Sequence, residues 1–277
     1  MRKAALTIAI QIARAAGDII VRAMPRLTSI RAEAKGTFDY TSEVDKAAEA
    51  EIVREIKRSF PGHAILAEES GARGNSPYRW IVDPLDGTHN FLRGFPHFCV
   101  SIAQTEHGEP VVGVIYDPIR DEIFAASKGS GATLNDRRIR VSQRLNIDGA
   151  LLCTGFPFRE RQHIVEHLAQ TRLMLERAED IRRTGSAALD LAYIAAGRLD
   201  GYWEAGLKPW DMAAGALLVR EAGGRCTDFS GQPGFIDSGR IVAANIKVGD
   251  DMLASIKAAA TETHGATGPV APEARPD

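Results

Sequence analysis

The chain has 277 residues, of which 44% are hydrophobic and 25% charged, a length and composition that fit one large globular domain or two small ones. The 34 Lys and Arg residues against 36 Asp and Glu residues give a net charge of −2, which argues against a general nucleic-acid-binding surface but leaves room for a local basic patch. The three cysteines (Cys99, Cys153 and Cys226) are scattered without a CxxC pair, so we expect small buried residues in a reducing compartment and no disulfide framework.

The first segment, residues 1 to 22, begins with Arg2 and Lys3 and is rich in Ala and Ile, so a signal peptide must be considered. Charged residues such as Asp18 and Arg22 interrupt it, and no apolar run approaches the roughly 20 residues of a membrane span. The apolar residues recur at helical spacing, at Leu6, Ala9, Ala13, Ala16 and Ile20. We therefore expect an amphipathic helix, no membrane contact and a cytoplasmic protein.

Residues 31 to 42 are polar and contain glycine, which predicts a loop. A helix is predicted to follow, because Ser42, Glu43 and Asp45 crowd its first turn as helix starts prefer. Its apolar residues have helical spacing, at Ala48, Ile52, Ile56 and Phe60.

The most informative stretch runs from Trp80 to Phe91. Its first three residues are bulky and apolar and indicate the end of a buried strand. Asp83 and Asp86 follow with Pro84 between them and Gly87 after, which predicts a stiff turn that holds the two carboxylates close together. Neighbouring carboxylates repel each other unless a cation lies between them, and hard oxygen ligands on a rigid segment suit Mg²⁺.

For an isolated motif of this kind, the simpler interpretation is an Asx-type turn that caps a helix beginning near Thr88. Here more acid lies at the ends of other predicted elements. Glu68 and Glu69 follow the apolar run Ala64–Ala67, and Asp211 falls in the first turn of a predicted helix. Acid clusters at strand ends and helix starts are what a phosphate site with several metal ions needs.

The rest of the chain is predicted to mix strands and helices without internal repeats. The predicted strands are 110–116, 122–126, 151–154, 201–205 and 241–244. The predicted helices are 163–179, with one exposed face, and 186–197, 209–222 and 250–260. From Thr261 onwards the composition changes to Thr, Gly, Pro, Ala and acids, which predicts a disordered tail.

One motif points elsewhere. His163 to His167 spells H-x-x-E-H, which also marks a class of zinc peptidases, but no third ligand or cleft is evident. The sequence contains no Walker A, G-x-S-x-G or G-x-G-x-x-G pattern, so nucleotide-loop, serine-hydrolase and dinucleotide-binding functions lack support.

Three separated stretches, Ala67–Ser70, Asp83–Phe91 and Trp210–Gly215, resemble the signatures of the inositol monophosphatase family of Mg²⁺-dependent, lithium-sensitive phosphatases, over roughly residues 5 to 260. Thr154–Phe158 and Arg182–Asp190 resemble its bacterial branch. The resemblance implies an α+β fold, a layered α/β/α/β/α sandwich of the inositol monophosphatase and fructose-1,6-bisphosphatase type. It further implies one catalytic domain at residues 1–262, with an N-terminal half at about 1–145 and a C-terminal half at about 146–262. Residues 263–277 would form a disordered tail.

The resemblance also assigns residues by position. It implies two or three Mg²⁺ ions per site, held by the side chains of Glu68, Asp83, Asp86 and Asp211 and by the backbone carbonyl of Leu85. It implies that Thr88 with Asp45, or Glu68 itself, orients and deprotonates the attacking water. The implied substrate contacts are Asp86, Gly87, Thr88, Gly185, Ser186, Ala187, Glu204 and Asp211.

Three positions lie near these signatures or depart from them. Lys35 falls in the mobile loop that the family folds over the site, or it is simply a solvated lysine. Thr41-Ser42 stands where the family usually has Val-Thr, and a hydroxyl is kept at the second position. His89 stands where the family more often has Thr, which fits ordinary variation.

The implied reaction is hydrolysis of a small phosphorylated polyol, myo-inositol monophosphate, by in-line attack of water, with inhibition by lithium and a homodimeric protein. Fructose-1,6-bisphosphate, 3′-phosphoadenosine 5′-phosphate and histidinol phosphate remain alternative substrates. An alternative of another class is a regulatory factor that associates with protein or RNA through Arg137–Arg140 or Arg182-Arg183, which the net charge does not support.

Overall fold

The computed structural model describes residues 2–36, 39–158 and 160–265. The helices are α1 (Arg2–Ala23), α2 (Glu43–Ser59), α3 (Thr88–Leu92), α4 (Ile164–Leu175), α5 (Ala187–Ala195), α6 (Pro209–Glu221), α7 (Phe235–Ser238) and α8 (Ile246–Gly265), with 3₁₀ helices at Met24–Ser29 and Arg161–His163. The strands are β1 (Ala32–Gly36), β2 (Asp39–Ser42), β3 (Ala64–Ala67), β4 (Gly71–Arg73), β5 (Tyr78–Asp86), β6 (Cys99–Glu106), β7 (Glu109–Asp117), β8 (Glu122–Ser127), β9 (Gly131–Leu134), β10 (Arg137–Arg138), β11 (Leu151–Thr154), β12 (Asp180–Arg182), β13 (Gly201–Ala205), β14 (Arg225–Thr227) and β15 (Arg240–Ala244).

The predicted loop at residues 31 to 42 is instead an antiparallel hairpin of β1 and β2, in which Ala32 pairs with Ser42 and Ala34 with Tyr40. Every residue of β1 is exposed, so the strand carries no alternation of buried and exposed side chains that a sequence pattern could reveal. Backbone pairing and the side-chain contacts described below hold the hairpin in place.

The larger sheet has eight strands in the order β10-β9-β8-β7-β6-β5-β3-β4. Only β3 and β5 pair in parallel; the other neighbours are antiparallel. Strand β6 was not predicted, although it lies near the centre of the sheet and is almost wholly buried. Its polar residues Ser101, Gln104 and Thr105 break up the apolar run that normally indicates a strand covered on both faces.

The smaller sheet has five strands in the order β12-β11-β13-β15-β14. Strand β11 is parallel to both β12 and β13, whereas β13 and β14 are antiparallel to β15. The predicted helix at 163–179 is shorter than expected, because α4 ends at Leu175 and the chain enters β12 five residues later. Its expected exposed face is present and carries large apolar side chains, at Ile164, Val165, Leu168 and Leu175.

The fold has five layers, which pack against one another through three hydrophobic cores. Helices α1 and α2 pack on one face of the larger sheet, α5 and α6 lie between the two sheets, and α4 and α8 cover the outer face of the smaller sheet. The fold is therefore α+β, with the layers α/β/α/β/α as predicted.

Helix α1 is amphipathic, with Ala9, Ala13, Ala16 and Ile20 in the core. By length and composition alone, the helical stretch Arg2–Ser29 could cross a membrane, since its mean hydropathy reaches 1.6. The sequence analysis predicted no membrane span, because no unbroken apolar run is long enough. The stretch reaches this mean hydropathy without such a run, because it is rich in Ala and Ile and contains few charges.

The last helix is longer than predicted: α8 begins at Ile246 and ends at Gly265, so it includes the residues from Thr261 to Gly265, where the composition predicted a disordered tail. Residues 266 to 277, on which the rest of that prediction falls, lie outside the described residues. The three cysteines are buried and free of disulfides, as predicted.

Candidate active site

Strand β5 carries two acids on one face because it contains a β-bulge. Asp83 pairs with Ser101 and Asp86 with Cys99, so three steps along β5 oppose two steps along β6. Residues three apart on a regular strand point to opposite faces, and one extra residue reverses this. The predicted turn is therefore a bulged strand, which holds the two carboxylates together as expected.

Gly87 ends this strand and leads into α3. Its φ of +99° lies in the left-handed region, which side chains resist. A Cβ atom at this position would also lie 3.0 Å from the carbonyl oxygen of His97 and 3.1 Å from Cβ of Phe98. Both the backbone angle and the close approach of the neighbouring loop therefore require glycine, as the sequence suggested.

The acid cluster, as we name Asp83, Asp86 and Asp211, joins the two halves of the protein. Oxygen atoms of the three carboxylates lie within 4.8 Å of one another. Asp211 occupies the first turn of α6, where one carboxylate oxygen accepts a hydrogen bond of 2.7 Å from the backbone N–H of Lys208. An oxygen of Asp86 accepts hydrogen bonds of 2.7 Å from the hydroxyl of Ser186 and from the backbone N–H of Ala188.

Burial and mutual repulsion act on all three carboxyls. Burial raises the pKa of Asp83 well above its usual range, and the charges of Glu68, Asp86 and Asp211 add to this. Burial likewise raises the pKa of Asp86 to about 6 and that of Asp211 in the same direction. A hard divalent cation between the three groups would offset the repulsion, so this donor set fits a metal ion.

Glu68 lies beside the acid cluster and is paired with a lysine. The ammonium group of Lys35 lies 2.9 Å from an oxygen of Glu68 and 2.5 Å from an oxygen of Glu69. Burial raises the pKa of Glu68, while the charge of Lys35 lowers it. Burial lowers the pKa of Lys35, but the two glutamates outweigh this effect and the net shift is upward. Lys35 therefore lies on strand β1 over the site, and it is not merely a solvated residue.

Thr88 and Asp45 form a hydrogen-bonded pair beside the cluster. The hydroxyl of Thr88 lies 2.7 Å from an oxygen of Asp45 and 3.0 Å from the carbonyl oxygen of Leu85. Asp45 is fully buried and forms a capping box with Ser42, whose hydroxyl and backbone N–H both donate to it. Burial raises the pKa of Asp45 to about 6.

The opposite wall of the site comes from the smaller sheet and from α5. Strand β13 ends close to Glu204, one oxygen of which accepts a hydrogen bond of 2.5 Å from the hydroxyl of Tyr202. Burial raises the pKa of Glu204 to about 7, against the hydrogen bond from Tyr202 and the charge of Arg183. Gly185, Ser186 and Ala187 form the start of α5 beside it.

These residues line one cleft of about 580 Å³ between the two sheets. Every predicted site residue lines it except Asp45, which lies behind Thr88. The predicted residues at the wall are Glu68, Asp83, Leu85, Asp86, Gly87, Thr88, Gly185, Ser186, Ala187, Glu204 and Asp211. His89 also lines the cleft, and its ring lies 4.8 Å from that of Tyr40 on the hairpin.

The sequence did not identify several other residues of the cleft. They are Tyr40, Asn90, Arg93, Gly155, Phe156, Phe158, Leu207, Lys208 and Trp210. Arg183 was noted as a basic feature and as part of the stretch Arg182–Asp190, but not as a site residue. It also lines the cleft, with its guanidinium 5.8 Å from the ring centre of Phe158. Its position directly before Thr184-Gly185-Ser186 was the available signal.

The H-x-x-E-H motif does not form a zinc site. His167 is buried and stacks on Trp203, with the ring centres 5.9 Å apart. His163 faces Glu160 and Glu166 at 3.5 and 3.6 Å. Across residues 2–36, 39–158 and 160–265, the acid cluster is the group of metal-ligating side chains that converges.

Comparisons with known proteins identify the family of the chain. The sequence profile of the inositol monophosphatase family matches residues 1–262. The Nus factor SuhB of Xylella fastidiosa is 52% identical over 90% of this chain and 92% of that protein. The crystal structure of extragenic suppressor protein suhB from Bartonella henselae (44% identity, TM-score 0.89) covers 92% of this chain and 98% of its own. The inositol monophosphatase of Anabaena (41% identity, TM-score 0.82) covers 92% and 96%. The chain therefore belongs to the inositol monophosphatase family.

Proposed function

We propose that the chain hydrolyses a small phosphorylated polyol, myo-inositol monophosphate, with Mg²⁺ and with inhibition by lithium. The observation that carries this proposal is the acid cluster, whose three carboxylates converge within 4.8 Å in the cleft beside the Thr88–Asp45 pair. A metal-binding group next to a hydrogen-bonded hydroxyl is what hydrolysis of a phosphate ester needs.

The metal site would be built from oxygen atoms alone. Asp83, Asp86 and Asp211 would hold two or three Mg²⁺ ions together with Glu68 and the carbonyl of Leu85. Bound Mg²⁺ supplies positive charge that neutralises the phosphate and makes a nearby water more acidic. The raised carboxyl pKa values support the proposal, because they mark groups whose charged form lacks a compensating cation in the chain itself.

The proton of the attacking water can pass to the chain through Thr88. Its hydroxyl donates to Asp45, so its oxygen keeps lone pairs that can accept a hydrogen bond from water. As the water oxygen attacks phosphorus in line, Thr88 takes the water proton and gives its own to Asp45. The bond from phosphorus to the ester oxygen breaks on the opposite side, and the departing alcohol oxygen takes a proton from solvent. Asp45 can receive it because burial raises its pKa to about 6. Glu68 is the alternative base at this position.

The substrate would lie across the cleft. Its phosphate would accept hydrogen bonds from the backbone N–H groups of Gly87 and Thr88, and its hydroxyls would contact Asp86, Asp211, Glu204 and the segment Gly185–Ala187. The cleft also accommodates the alternative substrates named above, namely fructose-1,6-bisphosphate, 3′-phosphoadenosine 5′-phosphate and histidinol phosphate. Turnover measured on all four compounds side by side would rank them.

The test is phosphate release from inositol 1-phosphate with Mg²⁺, with and without lithium. The variant is Asp86→Asn, and the matched control is Asp148→Asn, since Asp148 is exposed and paired with Arg177 outside the cleft. Turnover that needs Mg²⁺, falls with lithium and is lost only in Asp86→Asn supports the proposal. Turnover of another of the four phosphates alone would keep the metal site and change the substrate. Turnover of none would refute the enzymatic function.

A regulatory function is the second candidate, because relatives that are about half identical carry the name Nus factor SuhB. Arg137, Arg138 and Arg140 are exposed on one segment and could contact a protein or RNA partner. Binding of a labelled single-stranded RNA that weakens with salt, and that is lost in Arg137→Ala/Arg140→Ala, would favour an RNA partner. Unchanged binding in that variant would exclude this segment as the contact.

We also propose a homodimer in the cytoplasm. Free, buried cysteines suit a reducing compartment, and the exposed apolar face of α4 is a surface that a second copy could cover. Sedimentation of the full chain tests the dimer, and Val165→Glu would convert a dimer built on α4 to a monomer. A dimer that persists in this variant would locate the contact elsewhere.

A further inference from the structure

Glu204 is held by a neighbour two residues earlier on the same strand. Successive side chains of β13 alternate between its faces, so Tyr202 and Glu204 point to the same side while Trp203 points to the other. Trp203 packs with α4 and α8 in the outer core, whereas Tyr202 lies in the core between the two sheets. The alternation therefore brings a phenol and a carboxylate together at the edge of the cleft.

The hydrogen bond between them occupies only one oxygen of the carboxylate. The hydroxyl of Tyr202 donates to Oε2 of Glu204 at 2.5 Å. Within the described ranges, Oε1 of Glu204 has no hydrogen-bond partner, and Glu204 lines the cleft. Tyr202 itself is fully buried, so its ring cannot move without disturbing the core. One oxygen is thus fixed by the protein and the other is left for a ligand.

Gly155 provides the space in which this carboxylate lies. It follows Thr154, which pairs with Trp203 in the parallel ladder of β11 and β13. A Cβ atom at Gly155 would lie 2.0 Å from Cδ of Glu204 and 2.1 Å from each of its oxygens. Atoms cannot approach so closely, so even alanine at this position would displace the carboxylate.

We propose that Tyr202 is a positioning residue that orients Glu204 to accept a hydrogen bond from a substrate hydroxyl, and that Gly155 keeps this place open. Together they would determine the preference of the cleft for phosphate esters that carry hydroxyls beyond the phosphate. The inference rests on the proposed phosphatase function and adds the residues that select the alcohol part of the substrate.

The physical reason is preorganisation. A carboxylate that is held by a rigid phenol meets an incoming hydroxyl without first losing rotational freedom. Without the phenol, the side chain of Glu204 can turn away, and the hydrogen bond to the substrate costs more to form. The effect should fall on substrates that use Glu204 and leave the chemistry at phosphorus unchanged.

The test compares two substrates in the full chain with Mg²⁺. Inositol 1-phosphate carries ring hydroxyls, and p-nitrophenyl phosphate has none. We expect Tyr202→Phe to raise KM for inositol 1-phosphate about fivefold, the scale of one hydrogen bond, with kcat little changed. KM for p-nitrophenyl phosphate should stay the same. Gly155→Ala should show the same pattern.

Tyr193→Phe is the matched control, because it removes a phenol hydroxyl from a tyrosine that contacts His97 and Phe124 and not Glu204. It should leave both KM values unchanged, and thermal melting checks that every variant folds. In a Glu204→Gln background, Tyr202→Phe should add nothing further, since it acts through Glu204.

Equal loss on both substrates, or an effect of Tyr202→Phe that persists in the Glu204→Gln background, would overturn the proposal. So would unchanged KM values in a folded Tyr202→Phe protein. If the unmodified protein hydrolyses neither substrate, the proposed phosphatase function is refuted, and the positioning role falls with it. Failure of the positioning role and failure of the phosphatase function can therefore be told apart, because only the latter means that the unmodified chain has no turnover.

Discussion

The buried carboxylates at the two ends of the cleft have different neighbours. In the acid cluster, Asp83, Asp86 and Asp211 face one another, and their proximity adds to the cost of burial. At the other end, Glu204 is paired with a phenol of the chain, because Tyr202 donates a hydrogen bond to one of its oxygens. The first end therefore needs a cation to offset the repulsion, whereas at the second a neutral donor of the chain holds one oxygen of a single carboxylate. The four predictions below test this difference.

The largest effect is expected from Asp86→Asn. This change removes an ionic ligand from the acid cluster, so Mg²⁺-dependent turnover should fall by more than about 100-fold, the upper end of what residues around a metal site cost. Without metal, the Asp86→Asn variant should melt at a higher temperature than the unmodified protein, because one repelling charge is gone. Steady-state kinetics and thermal melting without metal measure both. A variant that loses activity and also melts lower would contradict the electrostatic argument.

Thr88→Val should reduce kcat by about 100-fold, since it removes the hydroxyl that links the attacking water to Asp45. Thr88→Ser keeps the hydroxyl and serves as the control, and it should retain most of the activity. The metal dependence of Thr88→Val should match that of the unmodified protein, because Thr88 is not among the proposed metal ligands. Activity in Thr88→Val close to normal would transfer the role of base to Glu68.

Glu204→Gln should leave the Mg²⁺ dependence unchanged and raise KM for inositol 1-phosphate by about tenfold. In the unmodified protein, burial raises the pKa of Glu204 to about 7, so the carboxylate becomes charged as the pH rises through that value. A charged acceptor binds a hydroxyl more strongly, and KM should fall across this interval. Glu204→Gln should flatten the profile, and a profile that keeps its slope would place the titrating group elsewhere.

The smallest effect concerns the metal-free protein alone. The folded pKa values of Asp86 and Glu204 are raised to about 6 and about 7, so the folded state binds more protons than the unfolded chain. Their contribution to stability is complete below the unfolded values near 4 and is lost as the pH rises through the folded ones. Between pH 5 and pH 8, this should lower the melting temperature by about 5 °C.

Saturating Mg²⁺ should remove the share of this pH effect that comes from the acid cluster and leave the share from Glu204. The control is Asp86→Asn, in which the metal-free slope should be shallower than in the unmodified protein. A metal-free protein that becomes more stable between pH 5 and pH 8, with the same slope in Asp86→Asn, would contradict the proposed repulsion.

Local motifs allowed the sequence to predict that the carboxylates of the acid cluster lie close together. Asp83, Asp86 and Asp211 lie in short stretches whose turn and helix-start residues carry the information themselves. The β-bulge was not predictable, because it exists only in the pairing of β5 with β6. Strand β6 was itself missed, since its buried polar residues interrupt the apolar pattern.

The part of the cleft around Glu204 was harder to predict. Glu204 was assigned only through resemblance, because a single acid at a strand end is ordinarily exposed. Tyr202 carries no local signal, and Gly155 was noted only as part of the stretch Thr154–Phe158. The approach of Gly155 to Glu204 arises from the pairing of β11 with β13. The hairpin of β1 and β2 was missed for a related reason, since its position depends on Lys35 reaching Glu68 and Glu69 and not on burial.

The β-bulge has a consequence for changes in chain length. Val82 and Leu85 point into the core beneath α1 and α2, while Asp83 and Asp86 point into the cleft. If β5 kept its three-residue spacing but paired regularly with β6, Asp86 would point towards that core, where the described part of the chain offers it no hydrogen-bond donor. The spacing between the acids is thus a constraint of its own. Substitutions at Pro84 or Leu85 can be graded in their effects, whereas one residue inserted in β6 between Cys99 and Ser101 would remove the bulge and separate the acids of the cluster in a single step.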